Sequence, residues 1–331
     1  MAARAVRRRR FLVAIVGLGF VSAPVPADAQ RSGKVPRIGY LTPIPQPSRE
    51  AIFRDELRQL GYEDEPSIAI EYRSAEGRFE RLPALAAELA GLEVDVIVAV
   101  VTQAALAAKT ATRTIPIVMV GVADPVGTGL VASLARPGGN VTGTSSVAAD
   151  VVGKQLELLH QVLPTMSRVA ALWNPANRVF QQRQLAEARA AATKLRIQLQ
   201  LVEARTPETL DRAFAVLARP RPDALLVLGD PLFTAHAARI AGLAIGQRLP
   251  TVGATREYAE GGGLLAYGPD YLEAWRRATT YVDRILKGTR PAELPVEQST
   301  KFDLVVNART ARTLGITIPP PVVARADHVI Q

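Results

Sequence analysis

Seven polar side chains stand at or near the ends of apolar runs: Thr42, Thr102, Gln103, Asp124, Asn174, Asp230 and Tyr267. They offer hydroxyls, carboxamides and two carboxylates, which can hydrogen-bond a solute or pair with a cation without making or breaking bonds. Thr42, Thr102 and Asn174 either meet a ligand or cap a turn, and Asp124 and Asp230 either meet one or cap a helix started by the following proline. The residues that reactive chemistry needs are sparse. There is no cysteine, and the three histidines, His160, His236 and His328, lack partners at metal-ligand spacing. His160 lies beside an apolar helical stripe and His236 near a helix start, which gives both structural or solvent roles. No Gly-x-Gly-x-x-Gly follows the first strand, no phosphate loop ends in Gly-Lys-Ser/Thr, and no Gly-x-Ser-x-Gly elbow occurs. The expectation is a binding protein with no catalytic residue, no metal and no cofactor.

The elements that must position these groups follow from the apolar pattern. Residues 37–41, 67–72, 94–101 and 115–122 read as strands, separated by helices over 48–61, 81–90 and an alanine-rich stretch to 112. The run 115–122 is apolar almost throughout, as expected of a strand covered on both faces. It opens into Ala123-Asp124-Pro125, where a cap and a proline at the first helical position predict a short helix whose amides face outward beyond the strand. A turn at Pro137-Gly138-Gly139-Asn140 and an extended segment over 141–145 then leave the first unit. A second series repeats the order, with strands at 169–173, 197–202, 223–228 and 250–253 and helices at 151–163, 177–195, 206–217, 234–245 and 256–260. Residues 264–267 are extended again. Asp270 caps a helix that carries Leu272, Trp275, Val282 and Leu286 on one side, and a strand at 304–307 and a helix at 308–315 close the pattern. Trp275 belongs to that core stripe, while Trp173, at a strand end, either sees the cleft or packs inside. Short parallel crossovers of this kind make open α/β sheets with helices on both faces, and such sheets bind ligands in the crevice beyond their strand ends.

Charge and the amino terminus narrow the class further. Arg4 and Arg7 to Arg10, an apolar run over 11–21 and Ala27-Asp28-Ala29 have the order of a secretory signal, so 1–29 is expected to be a cleaved signal peptide. The apolar run is short for a bilayer anchor, which needs about 20 residues. Without 1–29, which holds five Arg and one Asp, the formal charge falls from +9 to +5. The remaining basic residues are scattered without interleaved aromatics, which argues against nucleic acid as a partner.

Several stretches carry a family resemblance: IPIVMVGVADPVGTGLVASLARPGGNVTG from Ile115, GKQLELLHQVLP from Gly153, GGGLLAYG from Gly261, YVDRILKGTRPAELPVEQSTKFDLVVNARTARTLGI from Tyr281, and ARADHVI from Ala324. Through them the chain closely resembles the ABC transporter substrate-binding proteins of the periplasmic type I class, in the branch related to tryptophan- and aromatic amino-acid-binding proteins. The resemblance implies two Rossmann-like lobes with parallel sheets, joined by three hinge strands near 141–145, 264–268 and 295–302. The implied lobes are 36–143 with 266–293, and 144–265 with 294–331. The implied function is a receptor that closes on a small organic solute and delivers it to an inner-membrane ABC permease. The chain lacks the lipobox cysteine of many relatives, so it is expected free in the periplasm, as a monomer. If the solute is an amino acid, family analogy makes Asp230 the carboxylate that meets its ammonium, and helix-start amides near Asp124 can receive its carboxylate; the same polar groups can instead hydrogen-bond a sugar, a urea-like compound or an aromatic acid. The alternatives are a doubly wound α/β enzyme acting on a small metabolite, or a ligand-sensing receptor not coupled to import. No DNA-binding helix pair precedes residue 37, where the export signal stands.

Overall fold

The computed structural model describes residues 35–63, 67–147, 149, 151–218 and 220–331. The expected signal peptide, 1–29, lies outside them. The first series runs β1 (Arg37–Thr42), α1 (Pro47–Gln59), β2 (Ala69–Ser74), α2 (Leu82–Gly91), β3 (Val96–Val100), α3 (Val101–Ala111), β4 (Ile117–Ala123) and β5 (Val141–Ser146). The second runs α4 (Val152–Val162), β6 (Arg168–Trp173), α5 (Arg178–Leu195), β7 (Gln198–Glu203), α6 (Thr209–Val216), β8 (Ala224–Val227), α7 (Pro231–Ala235), α8 (Ala237–Gly246), β9 (Thr251–Gly253), α9 (Arg256–Glu260) and β10 (Leu265–Pro269). The chain ends through α10 (Tyr271–Leu286), β11 (Glu297–Gln298), β12 (Phe302–Asn307), α11 (Ala308–Leu314), α12 (Pro320–Val323) and β13 (His328–Ile330).

The strands form two sheets, ordered β11-β5-β4-β3-β1-β2 and β13-β12-β10-β9-β8-β6-β7. Pairing is parallel throughout the first and broken in the second only by the antiparallel β10–β12 pair. Strand β3 explains why both faces are covered. All five of its residues are buried, and alternation sends Ile97 and Ala99 into one apolar layer and Val96, Val98 and Val100 into the opposite one. The second sheet is covered in the same way. Each sheet has a switch point where strand order reverses, between β1 and β3 and between β6 and β8, and the crevice for a ligand lies beyond such a point.

Three connections cross between the sheets: from β5 to α4, from β10 to α10, and from β11 to β12. Helix α10 packs on α1 and on β3, β4 and β5, because Trp275, Ala278, Val282 and Ile285 fall on one buried face. Strand β10, most of which the implied boundary at residue 266 gives to the first lobe, pairs in the second sheet. Strand β11, given to the second, pairs with Thr144 and Ser145 in the first. Crossings therefore follow the strand ends by a few residues.

Candidate ligand-binding site

Between the lobes lies a cavity of about 30 Å³, walled on one side by residues of β4 and α10 and those following β1 and β3, and on the other by residues following β6, β8 and β9. That space holds about two ordered waters. A larger solute enters only when the walls part. Two roomier clefts, about 340 and 590 Å³, lie around Asp270 and Lys301. Their charged side chains already pair with one another, Lys301 with Asp270 and Arg277 with Glu273 and Glu297.

The second lobe supplies a buried acid. Asp230 follows β8 and caps α7, its Oδ1 accepting from the Leu232 amide at 2.9 Å and from Asn174 Nδ2 at 3.1 Å. Its Oδ2 accepts from Asn177 Nδ2 at 2.8 Å and Gln181 Nε2 at 3.4 Å. Gln181 and Gln184, buried on α5, also hold the backbone of Gly229, so the carboxylate is fixed from behind. Asp230 is 4% exposed and lines the cavity. Burial pushes its pKa from the ordinary 3.8 to about 6, and the neutral donors pull it back only in part. All four groups that donate to it are uncharged, so a cation arriving from the cavity would complete its environment.

The first lobe supplies a buried base. Pro47 takes the first positions of α1, and Glu50 reaches back to accept the Gln46 amide at 2.8 Å, so the helix starts soon after β1 ends. Arg49 is thereby held in the first turn, 5% exposed. Its Nε donates to Glu257 of α9 in the second lobe at 2.9 Å, and its Nη1 to Gln46 Oε1 at 2.8 Å. The guanidinium carbon lies 4.9 Å from the ring centre of Tyr271 and 5.1 Å from that of Trp275. Nη2 is buried without a hydrogen-bond partner among the described residues. Burial raises the Glu257 pKa, but Arg49 more than offsets this and holds it below the usual carboxylate value. Phe180, Tyr271 and Trp275 make the apolar part of the wall, Trp275 being anchored by Nε1 to the Tyr40 hydroxyl at 3.1 Å. Val101 lines it in a left-handed conformation (φ 63°), a strained state for a β-branched residue at the switch from β3 to α3.

Of the seven residues singled out in the sequence, Asp230 lines the cavity. Gln103 and Asn174 join it in one network, because Gln103 Nε2 donates across the lobes to Asn177 Oδ1, whose amide holds Asp230. Thr42 and Thr102 are braces: the first donates to the Ile44 carbonyl at 2.7 Å, the second accepts the Ala123 amide at 3.1 Å. Tyr267 stacks on Phe302 within the second sheet, with ring centres 6.2 Å apart. Asp124 starts a turn instead of the expected helix. Its φ is 44°, the Gly127 amide donates to its Oδ1 at 2.9 Å, and the Thr128 amide to its carbonyl at 3.0 Å, so those donors are consumed locally. Its Oδ2 meets Arg183 of α5 at 3.4 Å, an exposed pair across the lobes. Trp173 packs with the second-lobe core. Arg49, Phe180, Asn177 and Gln181 were not evident from strand ends. Arg49 did leave a signal, since a cation in the first turn of a helix opposes the macrodipole and so calls for another reason to be there.

The sequence profile of the ABC transporter substrate binding protein family matches residues 37–330. The chain belongs to that family. As a family member it stands among substrate-binding proteins rather than enzymes. It is 27% identical over 288 residues to a tyrosine-binding protein of Clostridioides difficile (strain R20291), covering 86% of this chain and 82% of that one. The crystal structure of an ABC domain from Streptococcus pneumonia in complex with L-Trp is 27% identical, with a TM-score of 0.79 over 90% of this chain and all of the other. A conserved domain protein from Vibrio cholerae is 31% identical, with a TM-score of 0.80 over 89% of this chain and all of the other. More distant solute-binding proteins, 11–15% identical with TM-scores of 0.56–0.60, share the two-lobed type I periplasmic binding protein fold alone.

Proposed function

We propose that this chain is the exported solute receptor of an ABC importer, binding an amino acid with a large apolar or aromatic side chain between its lobes and handing it to an inner-membrane permease. The observation that carries the amino-acid reading is Asp230, a buried carboxylate on the cavity wall with only uncharged partners, beside the rings of Phe180, Tyr271 and Trp275. A ligand ammonium supplies the missing cation, and a ring or long aliphatic chain suits the aromatic wall. Relatives described as tyrosine-binding and as an L-Trp complex support the same solute class. Solute binding between lobes favours their closed arrangement, which is what a permease can distinguish. Export rests on the basic, apolar and Ala-Asp-Ala order of residues 4–29.

Titration calorimetry of ligand-stripped protein with amino acids, sugars and aromatic acids tests the reading. One aromatic or large apolar amino acid bound unchanged per chain is expected, whereas saturable binding of a neutral sugar with no response to amino acids would sink it. Mass spectrometry of the periplasmic fraction should find a mature terminus near Gln30; a full-length chain in the inner membrane would refute the export claim.

A further inference from the structure

We infer that Arg49 is the carboxylate receptor of this cavity, its Nη2 taking a carboxylate oxygen of the solute, so that the site selects acids over the matching amines. This assignment rests on the amino-acid reading of the same cavity and says which end of the solute meets which lobe.

Three observations lead to it. Arg49 lines the cavity and is 5% exposed, and its Nη2 is a buried donor without a partner among the described residues. Buried donors are almost always satisfied, and leaving one unmade is costly. The guanidinium is also pre-organised. Glu257 and Gln46 fix two of its nitrogens, and the faces of Tyr271 and Trp275 hold its plane, so little side-chain freedom is lost when an anion arrives. Finally, the rival carboxylate site is weakened by geometry, because the Gly127, Thr128 and Gly129 amides beyond Asp124 are spent inside their own turn. Cation and anion then stand on one cavity, Arg49 from the first lobe and Asp230 from the second.

The test compares three ligands on wild type and Arg49→Gln by calorimetry: L-tryptophan, tryptamine, which lacks the carboxylate, and indole-3-propionate, which lacks the ammonium. Circular dichroism and melting establish that each variant is folded. Wild type is expected to bind L-tryptophan far more tightly than tryptamine, and Arg49→Gln to lose at least about 30-fold for L-tryptophan and indole-3-propionate while tryptamine changes less than about threefold. Equal losses for all three ligands would make Arg49 a structural brace, and an unchanged affinity for the two acids would remove it from the site; either overturns the inference. Arg49→Lys keeps the charge but not the fork, and losses confined to the two acids are expected from it too, so the test survives if the glutamine variant fails to fold. If wild type binds indole-3-propionate but no amino acid, and Arg49→Gln abolishes that binding, the amino-acid reading fails while Arg49 keeps its role. Wild type that binds neither acid nor amino acid overturns both.

Discussion

Replacing Asp230 by Asn keeps the shape of the side chain and removes its charge, and the consequences depend on pH in a calculable way. The carboxyl titrates near 6 in the fold against 3.8 ordinarily. Between those values the folded chain holds a proton that the unfolded chain has released, so this group's contribution to stability is greatest below about pH 4 and falls as pH rises through about 6. The fall attributable to this group is about 3 kcal/mol, at 1.36 kcal/mol for each tenfold change in proton affinity. A ligand ammonium reverses the preference, because it binds the ionised form. Affinity should therefore rise with pH and level off above about 6, with binding at pH 5 about tenfold weaker than at pH 7.

Two measurements read this directly. Denaturant unfolding of wild type and Asp230→Asn at pH 4.5 and 7.5 isolates the group, since other titrations cancel in the difference. The wild type should lose about 2 kcal/mol relative to the variant on going to the higher pH, because at pH 4.5 most of the unfolded chain has already released its proton and part of the full fall of about 3 kcal/mol is already past. Calorimetry with L-tryptophan at pH 5 to 8 should show the rise for wild type and a flat, weaker profile for the variant. The asparagine also points its amide toward the Asn177 and Gln181 donors, which costs it about 1–3 kcal/mol at every pH and does not alter the slope. An affinity that ignores pH, or that falls as pH rises, would refute the reasoning.

Glu257→Gln strips Arg49 of its charged partner across the lobes, and a stability loss of about 2 kcal/mol is expected in chemical denaturation, less than for a fully buried pair because the Glu257 side chain keeps 29% exposure. Gly143→Ala should cost about 3 kcal/mol or more, visible as a clear drop in melting temperature, since Gly143 has φ 128° and a Cβ there would stand 2.1 Å from the Met119 carbonyl oxygen of β4. Small-angle X-ray scattering should show that L-tryptophan compacts the chain and tryptamine does not; equal compaction by both would contradict the division of charges between lobes.

The fold was legible wherever burial writes a pattern. Residues 94–101 and the alanine-rich stretch after them mark β3 and α3, because a strand covered on both faces must be apolar throughout, but the helix already begins at Val101, so Thr102 and Gln103 lie in its first turn and not at the strand end. Pattern fails where backbone pairing does the holding. Strand β11 is only Glu297 and Gln298, polar residues recruited by β5, and β13 is a partly exposed edge. The single helix expected over 234–245 is two, because Asp230 and Pro231 start α7 early and α8 follows His236. The site was half legible. Asn174 and Asp230 stood out by ending strands, but Gln181 and Gln184 sit on a helix whose polar face reads as solvated and is in fact buried against Gly229. Asp124 misled because an aspartate before a proline suits a helix cap and a turn equally well.

Arg49 was hidden for a more general reason. A surface helix and an interlobe helix share one amphipathic pattern, and which charges become buried is decided by the second lobe, which sequence periodicity cannot place. That dependence is also what couples recognition to motion. Arg49 reaches full burial and its Glu257 partner only when the lobes meet, and Asp230 belongs to the opposite lobe. A zwitterion joined at one end to each lobe stabilises their contact, whereas an amine engages one lobe's charge and leaves Nη2 unsatisfied. Since a ligand shifts a conformational equilibrium only by its differential affinity for the two states, the contacts that discriminate the solute are the same ones that close the protein around it.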